Sequence, residues 1–466
     1  MGATVALCAF SACRGGNGFV SSPVPAVGDS ADALDAIAPL VSKGKIKHVI
    51  IIVQENRSFN NLFYGYPGAM TQSYGYTTKG KKIALQSVSI ATKWDLEHNP
   101  NGFLAACNGT GKIPGTDCRM NGFDKEYWKC GPGTTGGPCP IKLPPYAYVP
   151  QSQVQPYFDM AKQYVLADQM YASNFDSESF ISYQYIIAAV NPKKSVGSPY
   201  AQWGCPGGGA DQIKILGPNR TLNGGTERPC WNPQTLGDEL DAKKISWAFY
   251  AVSLGGKQSV GPDSGSGQHG IWSAYQAIQH IYKGSDWKSD VISPPEQFIT
   301  DVNEGQLRAV SWVTPTFLNS DHGGNNSTTG PSWVASLVNT IGQSQYWDSS
   351  VIFIFWDDYG GWYDPEPPKY LDNDGLGFRL PMLIISPYAR QGLVSHVHYE
   401  HGSILRFVED QFGLGRLAAS DARAKSPQRY VFDFNQAPRK FVPFSAPYDA
   451  NYFLHQPQDG RAPDSD

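Results

Sequence analysis

The sequence has no uninterrupted apolar run long enough to form an ordinary membrane-spanning helix, which needs about 18 residues or more. It has no basic surplus either: 37 Lys and Arg stand against 41 Asp and Glu, a net charge of −4. Nucleic-acid binding draws most of its affinity from such a surplus, so no nucleic-acid partner is expected. A G-x-S-x-G elbow, an H-E-x-x-H helix and a Walker loop are all absent, which argues against the serine esterases, zinc proteases and nucleoside triphosphatases built on them. There is no internal repeat and no long run of like charge. At 41 % hydrophobic and 17 % charged, the chain is too apolar to be disordered.

Turn formers and aromatic residues are plentiful. With 49 Gly and 35 Pro, long ordered loops are expected between the regular elements. The 12 Trp, 25 Tyr and 22 Phe suffice for a large core with rings left over to line a cleft. The eight cysteines include none in a C-x-x-C pair, which argues against a zinc ribbon. Cys107, Cys118, Cys130, Cys139, Cys205 and Cys230 lie in Gly- and Pro-rich stretches, and three disulfides in an exported protein account for them most simply. Pairing between sequence neighbours is one of 15 connectivities.

Residues 1–13, MGATVALCAFSAC, form a short apolar run ending in small residues. Phe10-Ser11-Ala12-Cys13 is similar to a bacterial lipoprotein cleavage box, although no Lys or Arg precedes Arg14. Export is the expectation, with a lipid anchor at Cys13 and a periplasmic, outer-membrane-anchored or extracellular location. Residues 14–42, rich in Gly, Ser, Ala and Pro, read as a flexible tether. Residues 43–466 read as one catalytic domain, with insertions at about 70–150 and 195–235 that carry the six cysteines.

Several short apolar runs end abruptly in polar residues. Val49 to Val53 leads to Gln54-Glu55-Asn56, and Val351 to Trp356 leads to Asp357-Asp358. Tyr164 to Ala167, Ser246 to Tyr250, Ala309 to Val313 and Met382 to Ile385 follow the same pattern. Such runs suit strands buried on both faces. Helical spacing appears between them, as in Val334, Leu337, Val338 and Ile341, and in Ile404, Leu405, Phe407 and Val408. The alternation predicts an α/β fold: a mostly parallel central sheet covered by helices on both faces, with disulfide-bearing loop insertions.

Ligands of open α/β sheets bind beyond the carboxyl ends of the strands. Two of these ends carry Glu55-Asn56 and Asp357-Asp358, and a third leads through a loop to His322. Three carboxylates and an amide brought together would repel unless a hard divalent cation joined them. Taken singly, an acidic residue after a strand is also an ordinary cap or solvated turn, so pattern alone leaves both readings open. Asp176-Ser177-Glu178-Ser179 precedes a helical stretch from Phe180 to Val190. Free N–H groups at such a helix start favour a phosphate-like anion, and every helix also needs a cap there.

Together these blocks resemble a known family. His48 to Phe59, HVIIIVQENRSF, resembles the opening motif of the bacterial phosphoesterases that include phospholipases C and respiratory-burst-inhibiting acid phosphatases, a family similar in fold to the alkaline phosphatase superfamily. The resemblance continues through Asp95-Leu96-Glu97-His98, Asn121 to Asp124, Ser179-Phe180, Gln184 to Ala188 and Ser320-Asp321-His322. It then runs through Trp356 to Asp364 and Tyr399 to Phe407. It implies Glu55, Asn56, Asp357 and Asp358 as metal ligands, Ser179 as nucleophile, and His98 and His322 as phosphoryl contacts. The cofactor it implies is one divalent metal ion: calcium, magnesium, manganese or zinc. The partner it implies is a small phosphate ester, with a phospholipid as one candidate. The phospholipase branch tends to carry a Thr nucleophile, and a His often stands where this chain has Pro365-Glu366-Pro367. Only some 50 residues follow Gly415, too few for the carboxyl-terminal β domains of the large phospholipases. An acid-phosphatase-like phosphomonoesterase is therefore expected, with a phospholipase C or other phosphodiesterase as one alternative and a non-catalytic surface lipoprotein as the other.

Overall fold

The structure is a computed structural model and describes residues 44–130, 139–176, 178–197, 204–207, 212–252, 272–459 and 461. The expected export segment, the tether and Cys13 lie outside the described residues, as does Ser177.

Among the described residues, nine strands form the central sheet: β1 (His48–Gln54), β2 (Val165–Tyr171), β3 (Trp247–Tyr250), β4 (Val291–Ile292), β5 (Val310–Val313), β6 (Ser350–Trp356), β7 (Arg379–Ile385), β8 (Leu393–Ser395) and β9 (Tyr399–Glu400). Their order is β4-β3-β5-β1-β6-β7-β2-β8, and β9 also pairs with β2. Only β7 runs antiparallel to its neighbours. Two successive reversals across β7 leave β2 pointing the same way as β1 and β6. All eight parallel strands therefore end on one rim.

The expected strands form with small changes at their ends. β2 runs on through Asp168 to Tyr171 because the Asp168 carboxylate is paired with His396 Nδ1 at 2.8 Å and accepts the Met70 N–H at 2.9 Å, so it can be buried inside the sheet. β6 is buried at all seven positions, and alternation splits its side chains between two covered faces. Phe353 meets Phe407 at 5.1 Å, whereas Trp356, an odd number of residues later, meets Tyr157 at 5.0 Å.

The helices include α1 (Phe59–Leu62), α2 (Pro100–Cys107), α3 (Gln155–Gln163), α4 (Ser179–Ala188), α5 (Leu236–Ala242), α6 (Gly330–Gly342) and α7 (His401–Phe412). Tyr157 belongs to α3, which packs on α6; Phe407 belongs to α7, which packs on α4. Helices thus cover both faces. α4 is buried along its whole length, which explains the lack of a polar stripe in its sequence.

The disulfides join sequence neighbours: Cys107–Cys118, Cys130–Cys139 and Cys205–Cys230. The first closes the end of α2, and the second follows the short strand Trp128–Lys129. That strand pairs antiparallel with Asp95–Leu96, so the insertion carries Asp95 and His98 to the rim. Among the described residues, no helix is long and apolar enough to cross a membrane.

Candidate active site

The register of β1 on β6 pairs Gln54 with Trp356. The next residues of each strand, Glu55-Asn56 and Asp357-Asp358, therefore leave the sheet side by side. All four are buried. The chain turns sharply at Asn56, whose φ of 54° suits an Asn better than most other residues. Its N–H donates to Asp357 Oδ1 at 3.3 Å. Gly360 closes the other turn at φ 60°; a Cβ there would stand 2.1 Å from the Asn56 carbonyl oxygen. Its N–H donates to Asp358 Oδ1 at 2.6 Å. The Asp-Asp-Tyr-Gly sequence therefore needs its glycine for close backbone approach.

Ser179 is the first residue of α4, and Glu178 gives that helix no side-chain cap. The Ser179 hydroxyl donates to Glu55 Oε2 at 3.2 Å and lies 3.4 Å from Asp358 Oδ2. One turn later Tyr183 donates its hydroxyl to Glu55 Oε1. Burial, then repulsion from Asp357 and Asp358, pushes the Glu55 carboxyl well above the usual carboxylate range, against the pull of Tyr183.

The two histidines reach the same point from separate loops. His98 Nδ1 donates to the Leu96 carbonyl at 2.7 Å, and His322 Nδ1 donates to the Gly323 carbonyl. A carbonyl oxygen only accepts, so each ring carries its hydrogen on Nδ1 and presents Nε2 to the site. The Asn56 amide nitrogen lies 2.8 Å from His98 Nε2 and 3.1 Å from His322 Nε2. Its oxygen lies 2.7 Å from Glu55 Oε2 and 3.0 Å from Asp357 Oδ1.

Two charge states fit these contacts. With the amide oxygen toward Glu55 and Asp357, the facing oxygens are held together by a cation among them or by a proton on Glu55, whose carboxyl is pushed up by burial and its acidic neighbours, and both imidazoles accept from the amide while neutral. With the amide turned over, its nitrogen donates to both carboxylates and its oxygen accepts from both rings, which are then protonated on both nitrogens. Three carboxylates and an amide oxygen are a donor set that fits a hard divalent cation. A second grouping, Asp95 with His98 and His322, has ligand atoms within 4.8 Å of one another and is also a candidate for holding a metal ion.

Each predicted site residue lies at this rim, and Ser179, Glu55, Asn56, Asp358, His98 and His322 are linked by the contacts above. Sequence reasoning passed over Asp95 and Tyr183. Asp95 stands three residues before His98 and Tyr183 four after Ser179, spacings that could have marked both. Other residues from the motif blocks are structural. Tyr359, Trp362 and Tyr363 are buried, packed on Phe378 at 4.6 Å, Arg57 at 4.6 Å and Tyr146 at 5.3 Å. His401 is fully buried against Phe355, and burial lowers its pKa to about 3, so it stays neutral. Asp321 takes hydrogen bonds from Tyr157 at 2.8 Å and Trp356 at 3.1 Å and positions the loop before His322.

Phospholipase C A of Mycobacterium tuberculosis is 22 % identical over 442 residues, covering 83 % of this chain and 79 % of that protein. Non-specific phospholipase C1 of Arabidopsis thaliana is 22 % identical over 453 residues, covering 87 % and 74 %. Among solved structures, a protein of the alkaline phosphatase superfamily from Vibrio parahaemolyticus aligns with a TM-score of 0.35 and 11 % identity, covering 81 % and 69 %. The profile of the Phosphoesterase family matches residues 46–415, and the chain belongs to that family.

Proposed function

We propose that the chain is a metal-dependent phosphoesterase, acid-phosphatase-like, working through a phosphoserine at Ser179. The observation that carries this reading is the Ser179 hydroxyl, 3.2 Å from Glu55 Oε2 and 3.4 Å from Asp358 Oδ2, beside the Asn56 amide oxygen. Glu55, Asn56, Asp357 and Asp358 would hold a divalent cation, which would supply positive charge to the ionised hydroxyl and to the phosphoryl oxygens. Oxygen donors suit calcium, magnesium or manganese, and zinc is compatible with them.

Ser179 gives its proton to a neighbouring carboxylate and attacks phosphorus in line with the ester oxygen. The P–O ester bond breaks as the serine–phosphorus bond forms. His98 and His322, anchored at Nδ1, act through Nε2 once protonated there: one N–H donates to a phosphoryl oxygen and the other gives its proton to the departing alcohol. Water then attacks the phosphoserine, with that imidazole now taking a proton, and releases phosphate and the free hydroxyl.

The phospholipase C names of the relatives favour a second reading, hydrolysis of a phosphodiester such as a phospholipid. An aryl phosphate, its diester counterpart and phosphatidylcholine, each assayed with and without chelator, separate the two. The catalytic unit is read as one domain over 43–466. Three disulfides support an exported protein, and a lipid anchor at Cys13 belongs to the same proposal. Ser179→Ala should lose at least ~10⁴-fold in rate, by analogy with other covalent nucleophiles. Near-full activity in that variant on every substrate would refute the nucleophile.

A further inference from the structure

We infer that Tyr183 is a positioning residue that holds Glu55 to a single ligating oxygen and so decides which divalent cations the site prefers; this rests on the cation site proposed above. Ser179 and Tyr183 stand at i and i+4 of α4, on one helix face, and each engages a different oxygen of the same carboxylate. Tyr183 donates to Oε1 and Ser179 to Oε2. Both Tyr183 and Glu55 are wholly buried, so no water can replace the phenol if Oε1 turns away from it. Oε2 is left to face the Asn56 side-chain amide, 2.7 Å away, and the nucleophile.

Cations differ in what they ask of a carboxylate. Calcium accepts six to eight oxygens and is well served by a chelating carboxylate; magnesium and manganese favour octahedral sites with single-oxygen carboxylates. A Glu55 with Oε1 engaged by a phenol therefore selects against calcium. The same helix that delivers the nucleophile also fixes how its neighbouring ligand binds.

Tyr183→Phe removes one oxygen atom and leaves the ring in place. Calcium and manganese affinities of the full, disulfide-intact chain and of the variant, measured by titration calorimetry, test the inference. Calcium affinity relative to manganese should rise about tenfold in the variant, the low end of effects seen when groups behind a metal ligand are removed. An unchanged ratio overturns the inference, including the case in which both affinities fall together, because that is what mere loosening of the site would do. A parent chain that binds neither cation removes the proposed function as well. If the variant does not fold, infrared spectra of the manganese-loaded parent with ¹³C-labelled glutamate decide. Widely split carboxylate stretches, as for single-oxygen ligation, support the inference; closely spaced ones, as for chelation, overturn it.

Discussion

Asp364, at the end of the Trp356 to Asp364 block, forms a buried ion pair with Arg379, the first residue of β7. The guanidinium donates from Nε to Oδ1 at 3.0 Å and from Nη2 to Oδ2 at 3.1 Å, with both side chains fully shielded from solvent. The carboxylate also accepts the N–H of Asn60 in α1 and of Glu366, each at 3.0 Å. Arg379 donates further to the Asp168 carbonyl at 3.0 Å and lies over Phe59 at 4.6 Å. One carboxylate thus ties the loop after Asp357-Asp358 to α1 and to the sheet. Asp364→Ala would strand a buried guanidinium and two backbone N–H groups, which costs about 3–5 kcal/mol. The double variant Asp364→Leu with Arg379→Met removes both charges and should recover much of that loss, since a well-packed apolar pair of similar volume is often nearly neutral. Urea unfolding followed by tryptophan fluorescence, with disulfides intact, measures both. A single variant within about 1 kcal/mol of the parent, or a double variant no more stable than the single, would refute the reasoning.

Three further outcomes are expected. Burial, helped by the charge of Lys47, lowers the His48 pKa to about 4. The folded state then holds fewer protons than the unfolded one, so this contribution is complete above about pH 6.5 and fades as pH falls toward 4; in His48→Asn, melting temperatures across that window should depend less on pH, and an identical slope would contradict the assignment. Gly360→Ala places a Cβ against the Asn56 carbonyl in a left-handed turn, so cation affinity and phosphatase rate should fall together while the far-ultraviolet spectrum holds, whereas an unaltered affinity would disprove the close approach. Replacing both Cys205 and Cys230 by Ser opens a link across 25 residues and should cost about 3 kcal/mol on loop entropy, visible as an earlier urea midpoint, and no shift would speak against a structural role for that bridge.

Much of the fold was legible because it depends on local order. A run such as Val351 to Trp356 is apolar at every position because both faces of its strand are covered, and the polar residues begin where the sheet ends. The strand ends therefore announced the rim, and Glu55, Asn56, Asp357 and Asp358 with it. The antiparallel course of β7 left no such mark, since a buried strand has the same composition in either direction.

Over residues 46–415 the order of the chain declares the strands, the helices and the family. Composition and periodicity are properties of neighbours along the chain, so they suffice for that much. Only the folded chain decided that Asp364 anchors a loop to Arg379, that Tyr183 grips the nearer oxygen of Glu55, and that His98 and His322 offer Nε2 to one amide. Those roles depend on which atoms of distant residues meet in a water-free space, and spacing along the chain carries no such distance.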